Sequence, residues 1–339
     1  MAGYVMNLDS VESLELYTKH GVYATKISAP AGYWRKQQEG TLADYATMQA
    51  GDNIYFFIDR KIYGIGELGN IAEDCTYLNF PGANSPEEYD YSDKQEELLW
   101  DETEYSVNQH WVCFFKPSPY FFRDGIDMDD VLSSNPSKFK MMRAFWKVSF
   151  LKAGDDENQA LKDVILKNNQ QVLRVTNPGA TQIFHSEYSG FHARVAEKIS
   201  NDGTYTFNLT EVIRAAKQGE RLKHEMSLEA ALLFRLVNQR RHTIDIFGSW
   251  DYLSHQVIAS PFKPIDYMDK MDIFGYRYIP GYEPTKARYL VIELKKDNAA
   301  IPDVDQLLKY VDWIKEEYAF GDYSMIEAYL VAADFPKEV

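Results

Sequence analysis

Hydrophobic positions repeat with two periods along this chain. Over roughly the first 150 residues the alternation of strands dominates. YVMNLD reads as an opening strand, DNIYFFIDRKIYGIGEL as a hairpin turning at Asp59, Arg60 and Lys61, and HWVCFFK as a further strand. VESLELYTKHG predicts a helix, because Val11, Leu14 and Tyr17 or Thr18 recur at helical spacing and Gly21 can end it. The acidic, aromatic stretch PGANSPEEYDYSDKQEELLWDETEY reads as a surface insertion, partly helical near 96–100. RAFWKVSFLKAG and the helix-like NQALKDVILKNNQ close the region.

Periodicity then weakens and turn residues multiply, which predicts a connector over 171–220. Helical spacing returns in LKHEMSLEAALLFRLVNQ, with Met226, Leu233 and Val237 on one face. Strands are predicted at 243–247, 255–259, 272–278 and 289–295. A helix over 304–318 follows, with Val304, Leu307, Leu308, Val311, Ile314 and Tyr318 as its apolar face, and SMIEAYLVAADFP reads as a last buried strand. This order predicts a compact α/β domain with a mixed central sheet. The expected organisation is one domain over 1–170, the connector, and a second domain over 221–339.

Composition changes this picture little. The 339 residues suffice for two domains, and 45% hydrophobic with 26% charged residues is ordinary for a globular protein. The net charge of −15 argues against a protein that coats nucleic acid non-specifically, since phosphate affinity comes mainly from lysine and arginine. It leaves room for a local basic groove. Two cysteines without a CxxC, and seven scattered histidines without HExxH, argue against a zinc site on spacing alone. No apolar run is long enough for a membrane span, and MAGYVMNLDS lacks the pattern of a signal peptide, so a cytoplasmic location is expected.

The polar residues that stand out lie in RYLVIELKKDNAAIPDVDQLLKYVDWI. Period-two geometry sends Glu293 and Lys295 to one side of an apolar strand, with Tyr289 and Val291. Leu290, Ile292 and Leu294 point the other way. Ions on so apolar a strand need partners, and a divalent metal with a phosphate would supply them. Asp272, in KMDIFGYR, stands on a predicted neighbouring strand. Asp272 and Glu293 are candidate carboxylate ligands for Mg²⁺ or Mn²⁺, with the carbonyl of Leu294 as a third. Lys295 would orient water or stabilise the transition state. Glu229, on the preceding helix, is a further candidate acid, and Glu225 one turn earlier competes for that role. Gln306 and Tyr310 lie one turn apart on the following helix. A different motif, the GxGxxG at 64–69, has a strand before it but no helix after it, so close packing in a strand is the better reading.

The stretch from about 225 to 333 resembles the PD-(D/E)XK nuclease superfamily, in particular its Mrr-like and NucS-like branches. The likeness rests on Glu293-Leu294-Lys295 followed by Gln306-Leu307-Leu308-Lys309-Tyr310. The resemblance implies that Asp272, Glu293 and Lys295 form a metal-dependent catalytic core supported by Gln306, with Glu229 as the helix glutamate. Asp266 and Asp269 compete with Asp272, and the loop YIPGYEPTKA between the two strands is long for the family.

The first 170 residues resemble, in layout, the EVE and YTH branch of PUA-like domains. The match lies in Gly51-Asp52, in Gly64-Ile65-Gly66-Glu67 and in FWKVSFLKAGDDENQALKDVI. This resemblance implies an α+β barrel holding a flipped, modified base in an aromatic cage. Tyr33 and Trp34 are the first cage candidates, with Trp111, Tyr120 and Asp52 behind them. Together the two resemblances imply a DNA endonuclease directed to modified DNA, as in restriction or antiphage defence. Alternatives are a repair nuclease and a non-catalytic nucleic-acid-binding module. RNA is the alternative target, and a homodimer would be the simplest route to a double-strand break.

Overall fold

The computed structural model describes residues 1–26, 32–118, 120–121, 124–144, 150–174, 187–201, 203–259 and 269–339. It is a mixed α+β protein that divides into two compact units. The first holds Met1–Trp34 and Met48–Glu211. The second holds Arg35–Thr47 and Val212–Val339.

The first unit is built on a curled, half-barrel sheet of eight strands. These are β1 (Gly3–Asn7), β2 (Val22–Ala24), β3 (Asn53–Ile58), β4 (Lys61–Leu68), β5 (Thr76–Leu78), β6 (Trp111–Pro117), β7 (Ile126–Asp127) and β8 (Phe150–Ala153). Their order is β2-β6-β4-β3-β1-β8, with β5 on β6 and β7 on β4. β3 and β4 form the predicted hairpin. Asp59 and Arg60 both adopt positive φ, the geometry that lets a two-residue turn follow the twist of its strands. Gly64 and Gly66 lie inside β4. A Cβ on Gly66 would stand 2.6 Å from Ile54 and 2.8 Å from Phe121, so these glycines admit neighbouring side chains at close range.

The helix Val11–His20 forms where its spacing predicts it, capped by the Ser10 side chain and ended by Gly21 in the left-handed conformation. The helix Asp155–Asn168 buries Ala160, Leu161, Val164 and Ile165 into a core shared with Val5, Tyr55 and Leu151. The expected connector differs from what is found. Within 171–220, the helix Tyr188–Asn201 belongs to the first unit, where Lys198 donates to the carbonyls of Glu96 and Leu98. Its dense turn residues hid this element. The remainder of that segment at 175–186, the expected strand residues at 145–149, and Asp266 lie outside the described residues.

The second unit centres on a four-stranded sheet. Its strands follow the two-residue pair β9 (Lys217–Gln218) and β10 (Arg221–Leu222). They are β11 (Tyr252–Ile258), β12 (Lys270–Tyr278), β13 (Lys286–Leu294) and β14 (Ile326–Val331), in sequence order across the sheet. The first two pairings are antiparallel and β13–β14 is parallel. β13 is buried from Tyr289 to Leu294, so both of its faces are covered and Glu293 is enclosed with them. β14 is an edge strand of intermediate burial, not a buried one.

The helix Glu225–Val237 packs Met226, Ala230, Leu233 and Leu236 inward, with Leu236 taking the place expected of Val237. The helix Ile301–Glu317 buries Leu307, Tyr310 and Ile314, whereas Leu308 is exposed. Residues 243–247, read as a strand, fall within the helix Arg241–Phe247. Thr243 and Phe247, four apart, are its buried positions, a helical spacing masked by β-branched composition. The helix Lys36–Thr47 also belongs to this unit, although its sequence falls within the first. It packs on the helix Glu225–Val237 and on β11. No helix among the described residues is long and apolar enough to cross a membrane.

Candidate active site

β12 and β13 pair Ile273 with Ile292 and Phe274 with Val291. One step further along this register sets Asp272 directly opposite Glu293. Opposed residues on neighbouring strands share a face, which puts both carboxylates on one side of the sheet, close enough for the Asp272 charge to act on Glu293. Asp272 is held by the N–H of Leu294, which donates to its Oδ2 at 2.8 Å. Leu294, whose carbonyl is the third expected metal ligand, is thus tied to Asp272 through its N–H. Lys295 follows the last strand residue, and its Nζ lies 2.5 Å from Glu293 Oε1. Asp303 Oδ1 and Glu225 Oε1 stand 3.8 Å and 4.0 Å from the same ammonium.

Asp272 and Glu293 are both costly to ionise here. Burial, then the Asp272 charge, pushes the Glu293 carboxyl up to about 7. Burial also raises Asp272, against the opposing pull of the Leu294 N–H. Burial acts to lower Lys295, but the charges of Glu293, Glu225 and Asp272 outweigh it and keep the ammonium above its ordinary range.

Glu229 lies deeper, 1% exposed. Its Oε1 is 2.7 Å from His255 Nδ1, and its Oε2 accepts from Gln256 Nε2 at 3.0 Å. The same Gln256 nitrogen donates to Asp272 Oδ1 at 3.2 Å. Glu229 is therefore joined to Asp272 through one amide. On its other side His255 Nε2 meets Asp44 Oδ1 at 3.0 Å. Burial would lower the His255 pKa, but its two carboxylate partners outweigh burial and push it up to about 10, so the ring is an imidazolium. Gln306 does not touch the carboxylates directly. It donates to Tyr310 Oη at 2.7 Å, and Tyr310 donates to the carbonyl of Lys270 at the start of β12.

His255, Gln256 and Asp44 were not legible as site residues. SHQVIAS reads as an ordinary strand, and Asp44 sits far upstream in a helix that looks like part of the first domain. The only local signal was a His-Gln pair within an otherwise apolar strand.

No group of three or more His, Cys, Asp or Glu side chains among the described residues forms a ready-made metal cage. The donor chemistry nonetheless fits a hard divalent cation. Glu293 Oε2 is buried with no hydrogen-bond partner among the described residues, beside a second carboxylate that raises its pKa. Mg²⁺ is commonly held by one or two carboxylates, with water and substrate phosphate completing the shell.

The proposed base-reading residues lie in the first unit. Trp34 and Trp111 are buried against each other, with ring centroids 5.1 Å apart, and Trp34 meets His110 edge-on at 5.6 Å. Tyr33 is 42% exposed. Asp52 accepts from the N–H groups of Ala2 and Gln49 and so ties a turn to the chain start. Compared with known proteins, the chain matches no family model and no curated protein.

Proposed function

We propose that the second unit is a metal-dependent phosphodiester hydrolase acting on DNA, of the PD-(D/E)XK type. The observation that carries this reading is the opposition of Asp272 and Glu293 on paired strands, with Lys295 hydrogen-bonded to Glu293. Mg²⁺ or Mn²⁺ bound there would activate water and offset charge on the phosphate. Asp272 and Glu293 would hold the ion, Asp272 oriented by the Leu294 N–H and by Gln256. Lys295 keeps its proton and offers an ammonium donor to a non-bridging phosphate oxygen as negative charge builds there. Gln306 and Tyr310 fix the entry to β12 and hence the carboxylate of Asp272 two residues on.

For the first unit we propose a PUA-like reader of a modified base, making the whole chain a modification-dependent endonuclease. The curled sheet supports this reading, and Trp34 and Trp111, buried against each other, would have to part to admit a base. The test is cleavage of matched duplexes carrying cytosine, 5-methylcytosine, 5-hydroxymethylcytosine, glucosylated cytosine or N6-methyladenine, with Mg²⁺ or Mn²⁺. Lys295→Ala is the control. Cutting confined to one modified duplex and lost in the variant supports both units. Equal cutting of all duplexes retains the nuclease and removes the reader. Tight binding without cutting removes the nuclease.

A further inference from the structure

We infer that the helix Lys36–Thr47 is a positioning element of the metal site: through Asp44 it sets His255, and His255 with Gln256 sets the carboxylates of Glu229 and Asp272. This rests on reading Asp272 and Glu293 as metal ligands.

The contacts form one unbroken chain. Asp44 Oδ1 meets His255 Nε2 at 3.0 Å, and His255 Nδ1 meets Glu229 Oε1 at 2.7 Å. Glu229 Oε2 and Asp272 Oδ1 then share the Gln256 amide at 3.0 Å and 3.2 Å. Both ring nitrogens of His255 face carboxylate oxygens, so both donate and the ring has a single orientation. Glu229 accepts at both oxygens, which leaves it no rotational freedom. Gln256 can use both amide hydrogens at once, and that fixes which Asp272 oxygen remains for Leu294.

The backbone supports the same assignment. Gln256 has φ 51, a left-handed conformation for a non-glycine residue inside a strand. The ladder pairs His255 with Ile273 and Val257 with Met271, and the irregular residue between them stands opposite Asp272. Strain of this kind persists where surrounding contacts hold it, here the two acceptors of the Gln256 amide. The same helix sets a second buried acid near a histidine, since Glu39 Oε2 lies 3.2 Å from His224 Nδ1 without the alignment of a hydrogen bond. Helix 36–47 thus brings two buried carboxylates, Glu39 and Asp44, to histidines of the second unit. Outer partners of metal ligands commonly govern affinity by 10–100-fold, about the range expected here.

The test is Mn²⁺ binding by the 339-residue chain, followed by electron paramagnetic resonance and calorimetry, beside DNA cleavage across a metal titration. Asp44→Asn is expected to raise the Mn²⁺ Kd about tenfold or more. It should raise the metal concentration for half-maximal cleavage in parallel, with the rate at saturating metal within a few-fold of wild type. Asp44→Glu should restore part of the affinity. Gln256→Met, which breaks the last link without touching the buried histidine, should reproduce the loss and serves if Asp44→Asn does not fold. Folded variants with wild-type Mn²⁺ affinity would overturn the inference, whatever their melting temperature. Wild-type protein that binds Mn²⁺ and loses affinity in the variants, yet cuts no nucleic acid, would remove the nuclease reading and leave the positioning role standing. Wild-type protein that binds no Mn²⁺ would remove both.

Discussion

Glu293 gives one oxygen to Lys295, 2.5 Å from its Nζ, and keeps the other buried and unbonded among the described residues. A glutamate used only for structure would be expected to satisfy both oxygens, because a buried acceptor left bare costs about 1–3 kcal/mol. The unbonded oxygen is left to the divalent cation proposed for the site.

Removing the ammonium tests that chemistry most directly. Lys295→Ala should lower the cleavage rate by roughly 10²-fold or more at saturating metal, the scale seen when a group stabilising transition-state charge is lost. Lys295→Arg should rescue little, since a planar guanidinium does not reproduce a compact ammonium. Single-turnover cleavage assays read both.

Metal binding should stabilise the folded chain by linkage. At a metal concentration near 100 times Kd the gain is about 2.7 kcal/mol. Urea melts with Mn²⁺ and with chelator should separate by that amount in the wild type and coincide in Asp272→Asn.

The buried imidazolium predicts a pH dependence of stability. The His255 pKa rises from 6.5 in the unfolded chain to about 10 in the fold. Its contribution is fully present below pH 6.5 and declines as pH rises towards 10, with a total loss on the order of a few kcal/mol. The denaturation midpoint of the second unit should fall between pH 7 and pH 10. His255→Asn should start lower and flatten the slope.

Glu157 predicts a slope in the first unit over a lower range. Burial pushes its carboxyl up to about 7, against the N–H groups of Met142 and Met141 that donate to it. A raised carboxyl pKa makes the fold bind more protons than the unfolded chain between pH 4.5 and 7, so stability declines across that window as pH rises. Denaturant titrations at pH 5 and pH 8 should show the decline, and Glu157→Gln should reduce it.

Close packing inside β4 is testable by one methyl group. A Cβ on Gly66 would sit 2.6 Å from Ile54 Cγ2, and Ile54 is fully buried. Gly66→Ala should destabilise the first unit by about 1–3 kcal/mol in thermal or urea melts, as overpacking does. A neutral result would show that Ile54 and Phe121 can move aside.

Local patterning determined much of this protein by itself. Alternation marked the β3–β4 hairpin and β6, helical spacing marked 11–20 and 225–237, and period two set Glu293 among the apolar residues of β13. These features follow from repeats within a few residues, which short-range geometry dictates. What only the tertiary structure decided depends on distant segments meeting. Register between β12 and β13 set Asp272 against Glu293. Packing brought the helix Lys36–Thr47 out of the first unit's sequence to the second, so that Asp44 reached His255 across 211 positions. A helix such as EGTLADYATM carries no mark of its partner, because a buried acid differs from a surface one only by what the fold sets against it. The same reason explains Trp34 and Trp111, whose shared burial arises from contacts between a loop and a strand far apart in the chain.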